Sequence, residues 1–285
     1  MSTPTGPSLE GLRERVLERS LGLRPAGRAT PEPDPISAVE AVRRTGESLA
    51  ELLDGLDDAQ WRRPVLRGLD VQGLIGHLIG VEQHVEQAVA GDESVARADH
   101  VASTQASALA QRRRPPSATR EAWVSAVARA VAALASRDGK DLVALYGTRL
   151  PIAGVCIARA FELWTHENDI RQALGLPAST PDAATLTLMT RLATDLLPRA
   201  TVARDLAPDL TLRLVLTGPG GGTWQLTLGA VGSPEPARVG IVADAVAFCR
   251  LVANRVTPGD LDAHITGDPH LAEAVLQAAT TLALD

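Results

Sequence analysis

Residues 162 to 171 read ELWTHENDIR, with Glu162 and His166 four apart and Asp169 three further on. Residues four apart on a helix project from one face, so this carboxylate and this imidazole can reach a common point. Taken alone, such a pair is a surface contact or a core histidine satisfied by a neighbour. The metal-site reading gains from His77, in the run VQGLIGHLIGVE, on an apolar helix face with Leu74, Leu78 and Val81 around it. A bundle that turns His77 towards Glu162 and His166 makes a site of two histidines and one glutamate. Zinc accepts that ligand set, with a coordination position left open. His84, two turns beyond His77, is a weaker rival as a ligand. His100, His264 and His270 fall in loop, strand and cap contexts and read as structural or exposed. Asp169 reads evenly as a carboxylate that orients a ligand imidazole and as a surface or interhelix charge. Trp164 faces away from the pair and reads as core.

Long helices must carry these residues. Residues 36 to 54 place Ile36, Val39, Val42, Leu49, Leu52 and Leu53 at helical spacing. Asp70 is the expected N-cap of a helix over 71–90 that bears His77. A third helix covers 118–136 through Trp123, Val127, Val131 and Leu134. Pro151 suits a first helical turn and opens a fourth, running to about Leu174 and ending in GLP. A further helix over about 182–197 bridges to a different pattern. From residue 208, DLTLRLVLTGPGGGTWQLTLG alternates apolar and polar positions on both sides of a glycine-rich turn, the pattern of a β-hairpin. Those glycines lead into a strand and precede no Gly-Lys-Ser/Thr, so they are not read as a phosphate loop. ARVGIVA is expected as a third strand, 243–254 as a helix and LDAHITG as a fourth strand, with Asp268-Pro269 capping a last helix. The fold class is therefore an α-helical bundle followed by a smaller α+β domain. Its division is a flexible N-terminal extension over 1–35, with a short helix at 8–21 and a Pro-rich linker at 24–35, then the bundle over 36–200 and the α+β domain over 201–285.

Composition narrows the partners. The 285 residues carry a formal net charge of −6, which argues against a nucleic-acid protein because phosphate binding needs concentrated positive charge. Arg112-Arg113-Arg114, followed by two prolines, reads as a solvated loop. Aromatic residues make up 2% of the chain, so Leu, Val and Ala must build the core. Cys156 and Cys249 are too few for a disulfide framework and read as buried, reduced thiols. With no signal-type apolar segment at the N-terminus and no apolar run of bilayer length, the chain is expected to be soluble, cytoplasmic and without a membrane partner, and a monomer by default.

Three stretches, VQGLIGHLIGVE (71–82), ARAFELWTHENDIRQALGLP (158–177) and AVAFCRLVANRVTPGDLDAHITGDP (245–269), resemble the mycothiol-dependent maleylpyruvate isomerases, of the DinB-like metal-binding bundle superfamily. The resemblance spans about residues 36–285. It implies that His77, Glu162 and His166 are zinc ligands and that the C-terminal part is a sterol-carrier-protein-like domain. It also implies an active-site arginine in that domain that binds an acidic group of thiol or substrate. The best match is Arg255, in Ala253-Asn254-Arg255 where the family often shows Trp-Gly-Arg; Arg250 on the same helix is the rival.

Zinc with an open position deprotonates a thiol that coordinates it, and the thiolate is the nucleophile. No cysteine of the chain is well placed to supply that thiol, and the resemblance implies mycothiol as cosubstrate. The expected activity is cis–trans isomerisation of an unsaturated keto-acid, or S-transfer to a small-molecule electrophile. Two alternatives stay open: a zinc-hydroxide hydrolase with Asp169 as the nearby base, and a non-catalytic zinc protein closed by a fourth ligand such as His84.

Overall fold

The computed structural model describes residues 33–204, 210–228 and 239–283, together with Arg13, Arg15, Val16 and Arg19, which are helical. The rest of the expected helix at 8–21, and the linker up to residue 32, lie outside the described residues.

Helix α1 (Ala38–Asp54) is capped by Ser37, whose hydroxyl accepts from the Glu40 amide. A short helix α2 (Asp58–Trp61) leads into the hairpin β1 (Pro64–Leu66) and β2 (Leu69–Asp70). Asp70 then caps α3 (Val71–Val89) through the Gly73 amide, as its position in the sequence predicts. The region between α3 and the next expected helix is not a loop. Asp99 caps a further helix, α4 (His100–Gln111), which precedes α5 (Pro116–Ala135). A second hairpin, β3 (Leu142–Leu145) and β4 (Thr148–Pro151), feeds α6 (Ile152–Ala173), which carries Glu162 and His166. Helices α1, α3, α5 and α6 form the bundle around a core that includes Leu49, Leu74, Leu78, Trp123, Leu134 and Leu163.

Helix α4 lies against α3 rather than in the bundle proper. Two glycines of α3 permit that approach. A Cβ on Gly76 would stand 2.7 Å from Ala108 Cα, and one on Gly80 3.1 Å from Thr104 Cβ. Only a bare backbone face lets α4 come this near, and the closeness brings His100 and Thr104 beside His77.

Helix α7 (Ala183–Val202) extends five residues past its expected end, with Pro198 inside it. The second core is built on a four-stranded mixed sheet in the order β6-β5-β7-β8. The expected hairpin is β5 (Leu210–Thr217) with β6 (Gly222–Leu228), in register from Leu210 opposite Leu228 to Leu216 opposite Gly222. Strand β7 (Val239–Asp244) runs parallel to β5, and β8 (Ala263–Gly267) antiparallel to β7. Helices α8 (Ala245–Val252) and α9 (Pro269–Ala279) complete this part, α9 capped by Asp268 as expected. Phe248, Leu251, Val275 and Leu276 cover the sheet, with Ala193 and Leu197 of α7 in the same core. Trp164 of α6 joins Leu186, Met189 and Cys249 in a third cluster between the two parts.

Candidate functional site

His77 on α3 and Glu162 and His166 on α6 meet in the bundle interior, where each offers one ligand atom and all three atoms lie within 4.8 Å of one another. All three side chains are buried. The hydrogen bonds around them fix which nitrogen faces the centre. Thr104 Oγ1 donates its single proton to the carbonyls of His100 and Val101, both 3.0 Å away. With that proton on a carbonyl, the hydroxyl accepts at 2.6 Å from Nδ1–H of His77, the tautomer that turns the Nε2 lone pair to the cluster. Asp169 Oδ2, 2.9 Å from His166 Nδ1, can only accept, so His166 too presents an Nε2 lone pair. That atom is buried and has no hydrogen-bond partner. His77 Nε2 lies 3.5 Å from Glu162 Oε1, longer than an ordinary hydrogen bond, and that oxygen has no hydrogen-bond partner. Three buried nitrogen and oxygen atoms converging in this way are an arrangement that a cation satisfies, and the residues fit a divalent metal with nitrogen and oxygen preference.

The electrostatics agree. Burial lowers the pKa of His77, the neutral form that a ligand needs. Burial opposes ionisation of Glu162, yet the Arg159 guanidinium, with His100 and His77, holds its carboxyl well below the usual range. Arg159, 1% exposed, ion-pairs with Glu162 Oε2 and, at 2.7 Å, with Glu82 Oε1. One oxygen of Glu162 is thereby taken by the guanidinium and the other left for the centre. For Glu82 desolvation wins and the pKa is raised despite Arg159.

His100 is a correction to the sequence reading. It is neither in a loop nor exposed. It stands at the start of α4, buried, with Nε2 3.2 Å from Glu162 Oε1 and its ring on Tyr146 at 4.5 Å between centroids. His84 points elsewhere, to the Tyr146 hydroxyl at 2.8 Å, and is not among the clustered ligand atoms. Tyr146 and Gly147 form the two-residue turn between β3 and β4, both at positive φ (50° and 75°). That is the turn geometry whose twist suits a tight hairpin. His264 and His270 lie on β8 and in the first turn of α9, away from the cluster.

Asp169 makes two contacts at once. It holds His166, and it receives the fork of Arg255, with Nε at 2.8 Å and Nη2 at 2.9 Å. Burial disfavours its charge, but these hydrogen bonds keep Asp169 below the usual aspartate range. Arg255 thus reaches the cluster through Asp169, a carboxylate of the chain itself. The chain turns to place it because Asn254 adopts φ 55° just past α8. Arg255 N–H then bonds the Arg250 carbonyl at 2.8 Å and Asn254 N–H the Leu251 carbonyl at 2.9 Å, a left-handed helix cap that asparagine can make in place of glycine. Arg250 is exposed and lines a groove with Arg255, apart from the histidines.

The two cysteines are buried and unbridged, and burial pushes the Cys156 thiol up to about 12 and the Cys249 thiol higher still than usual. Neither is in the cluster. Asn168, for which the sequence offers no reading, brackets Ser179 by donating to its hydroxyl at 3.1 Å and accepting from its amide at 2.9 Å, which ties the segment after α6 to that helix. Arg112 to Arg114 are exposed beyond α4, and Arg112 pairs with Asp70 at 3.3 Å. Among the described residues, no helix is long and apolar enough to cross a membrane.

A cavity of about 570 Å³ opens beside the cluster, with Glu162 and His166 in its wall. It runs between the bundle and the C-terminal part, lined by Tyr146, Leu150 and Phe161 on one side and Leu192, Leu196 and Val252 on the other.

Comparison with known proteins points the same way. Two uncharacterized proteins from two strains of Mycobacterium tuberculosis are each 31% identical over 136 residues, 47% of this chain and 49% of theirs. The chain spans about half the length of these curated relatives. The crystal structure of the mycothiol-dependent maleylpyruvate isomerase has a TM-score of 0.54 and 17% identity, covering 79% of this chain and 91% of that one. A single-site mutant of that enzyme gives the same TM-score at 16% identity. At such identity the likeness is one of fold, and it takes in both the bundle and the smaller mixed-sheet domain. The sequence model of the mycothiol maleylpyruvate isomerase N-terminal domain matches residues 42–171, the stretch from α1 to α6 that carries His77, Glu162 and His166.

Proposed function

We propose that the protein is a metal- and thiol-dependent enzyme, with zinc held by His77, Glu162 and His166 and mycothiol as the thiol cosubstrate. Its reaction is cis–trans isomerisation of an unsaturated keto-acid or S-transfer to an electrophile. One observation carries the reading: three buried acceptor atoms from two helices converge within 4.8 Å, each held in its ligating orientation by a neighbour. His77, Glu162 and His166 would hold a divalent cation whose chemistry there would be Lewis acidity, lowering the pKa of a thiol brought to it so that the thiolate is available as nucleophile.

The chain's own residues do the rest. Thr104 and Asp169 hold both imidazoles through Nδ1 and so turn each Nε2 towards the cluster. Arg159 keeps Glu162 ionised and one-pronged. Apolar side chains line much of the adjoining cavity, surroundings in which a charge interaction is stronger than in water. Mycothiol enters through the relatedness to the isomerase family, and the buried high-pKa cysteines support a thiol that comes from outside. The hydrolase alternative needs a base with a free oxygen near the centre, whereas Asp169 already serves His166 and Arg255.

Elemental analysis of purified protein is expected to give about one zinc per chain, with clear loss in His77→Ala and His166→Ala. Mycothiol should bind the metal form with release of a proton and leave the apo form untouched, measured by calorimetry in buffers of different ionisation enthalpy. Full metal content in both histidine variants, or turnover without added thiol in a Cys156→Ala, Cys249→Ala double variant, would overturn the proposal.

A further inference from the structure

The cavity beside the cluster has a polarity that restricts what it takes. Its floor, next to Glu162 and His166, is walled by Leu150, Phe161, Leu192, Leu196, Val252 and Leu282, contributed by β4, α6, α7, α8 and the segment after α9. Two cations stand in the same lining, Arg149 on β4 and Arg199 on α7, and both are exposed. Neither has an ion-pair or hydrogen-bond partner for its side chain among the described residues. Arg97, Arg113 and Arg191 likewise have none among the described residues, but they lie outside this lining, whereas Arg43, Arg44, Arg112, Arg120, Arg129, Arg137, Arg159 and Arg171 all pair with acidic groups. Two unmatched guanidinium groups at the rim of an apolar chamber leave an anion to be supplied from outside. At about 570 Å³ the chamber falls in the range that encloses most of a drug-sized ligand, well beyond a small keto-acid.

We infer that the acceptor is an amphipathic monoanion, an acid whose carboxylate or similar group is met at the rim by Arg149 and Arg199 and whose apolar body of medium-chain or aryl size fills the chamber towards Glu162 and His166. That this molecule is the electrophile rests on the proposed function; that the chamber binds such acids does not. Burial of apolar surface then makes affinity rise with chain length until the chamber is full, about fourfold per methylene. The exposed arginines contribute less, about two- to fivefold each.

The test is calorimetric titration of the full-length protein, as purified and again after chelation, with saturated straight-chain monocarboxylates from butanoate to tetradecanoate. Being saturated, these report binding without chemistry. The expected result is a steep rise in affinity through the medium chain lengths followed by a plateau, the same before and after chelation. Arg149→Ala with Arg199→Ala should weaken decanoate about tenfold while leaving decanamide unchanged. Leu196→Trp, which narrows the chamber, should abolish the gain for long chains and spare the short ones. Affinity that is flat with chain length, affinity lost on chelation (the acid then being held by the metal), or arginine variants without effect would overturn the inference. Zinc content and proton-releasing mycothiol binding are measured on the same samples. A flat series in protein that keeps both sinks this inference and leaves the proposed function standing. A steep series in protein with neither keeps the acid-binding chamber and removes the reading of its ligand as an electrophile.

Discussion

Arg159 offers the sharpest test of how the centre is held. Its guanidinium is fully enclosed between two carboxylates that are themselves buried, Glu82 at 0% exposure and Glu162 at 7%. Replacing it with methionine keeps much of the volume but strands both carboxylates. Removing one partner of a buried pair costs about 3–5 kcal/mol, a large part of the roughly 5–15 kcal/mol by which a domain is stable. The sign of the pH dependence follows from the two groups. Glu162, with its folded pKa held below the usual 4.5, stabilises the fold at pH values above 4.5 and loses that contribution as pH falls. In Arg159→Met this contribution shrinks, because its principal cause is gone. Glu82, already raised above 4.5 by burial, rises further without the guanidinium. A carboxyl of raised pKa destabilises progressively as pH climbs above 4.5. Both effects make the deficit of Arg159→Met greatest near pH 7.5 and smaller near pH 5. Urea unfolding of the metal-free protein, followed through buried Trp123, measures it at the two pH values. Adding Glu82→Gln to Arg159→Met should recover about 1–2 kcal/mol at pH 7.5 by removing one stranded charge. A deficit under about 1 kcal/mol, or one equal at both pH values, would refute the reasoning, since the carboxylates would then be solvated or neutral in the wild-type protein.

Thr104→Val keeps the shape beside His77 but removes the acceptor of its Nδ1 proton; zinc affinity in a competitive chelator titration should fall about 10- to 100-fold with little change in thermal stability. Asp169→Asn should cost a similar factor, whereas Arg255→Lys, which keeps charge but loses the two-pronged grip, should cost less and leave zinc content normal at saturating metal. Because the pKa of Asp169 is depressed, its pinning of His166 is present throughout pH 5–8 and is lost only as pH falls below the usual 3.8; chelator titrations across that window should give a constant ratio of wild type to Asp169→Asn. Gly76→Val forces α4 away from α3 and should lower the unfolding midpoint by the equivalent of about 1–3 kcal/mol while also weakening zinc binding, a paired loss that calorimetry and the chelator assay together detect.

The four bundle helices were legible because each carries an apolar stripe at helical spacing, and Glu162 and His166 because one helix face must bear both. Helix α4 was not, and with it His100 went astray. HVASTQASALAQ buries only His100, Thr104, Ala108 and Gln111, a face of small and polar groups that no hydrophobic period reveals. The available signal lay elsewhere, in Asp99 as an N-cap and in Gly76 and Gly80 four apart on α3, a bare strip that only a closely packed partner needs. Arg159 and Glu82 were missed for a different reason. Charged residues on a helix ordinarily face water, and only the placement of Arg159 three before Glu162 hints that it serves that carboxylate. The unmatched pair Arg149 and Arg199 is a property of tertiary structure alone, since nothing in sequence tells which arginines lack partners. In the C-terminal part, period-two alternation gave the β5–β6 hairpin its register, but the parallel pairing of β5 with β7 comes from residues far apart in the chain. Asn254 illustrates how a departure in sequence can be neutral in structure: the position requires a left-handed backbone, and asparagine adopts it.

The two imidazoles of the centre are steadied by different parts of the molecule. His77 depends on Thr104, within the first half of the chain, while His166 depends on an aspartate that is itself gripped by Arg255, near the end. During synthesis from the N-terminus, all three clustered residues have therefore left the ribosome some ninety residues before the arginine that completes the support of His166. A nascent bundle can collapse with its donors in reach of one another yet without the last brace. If the proposed centre takes up zinc, tight capture would then belong to the finished polypeptide, and a truncated product would compete poorly for the metal. The latch between the two parts would in this way act as a check on completeness, withholding the metal from molecules that lack the half of the chamber contributed by the C-terminal residues.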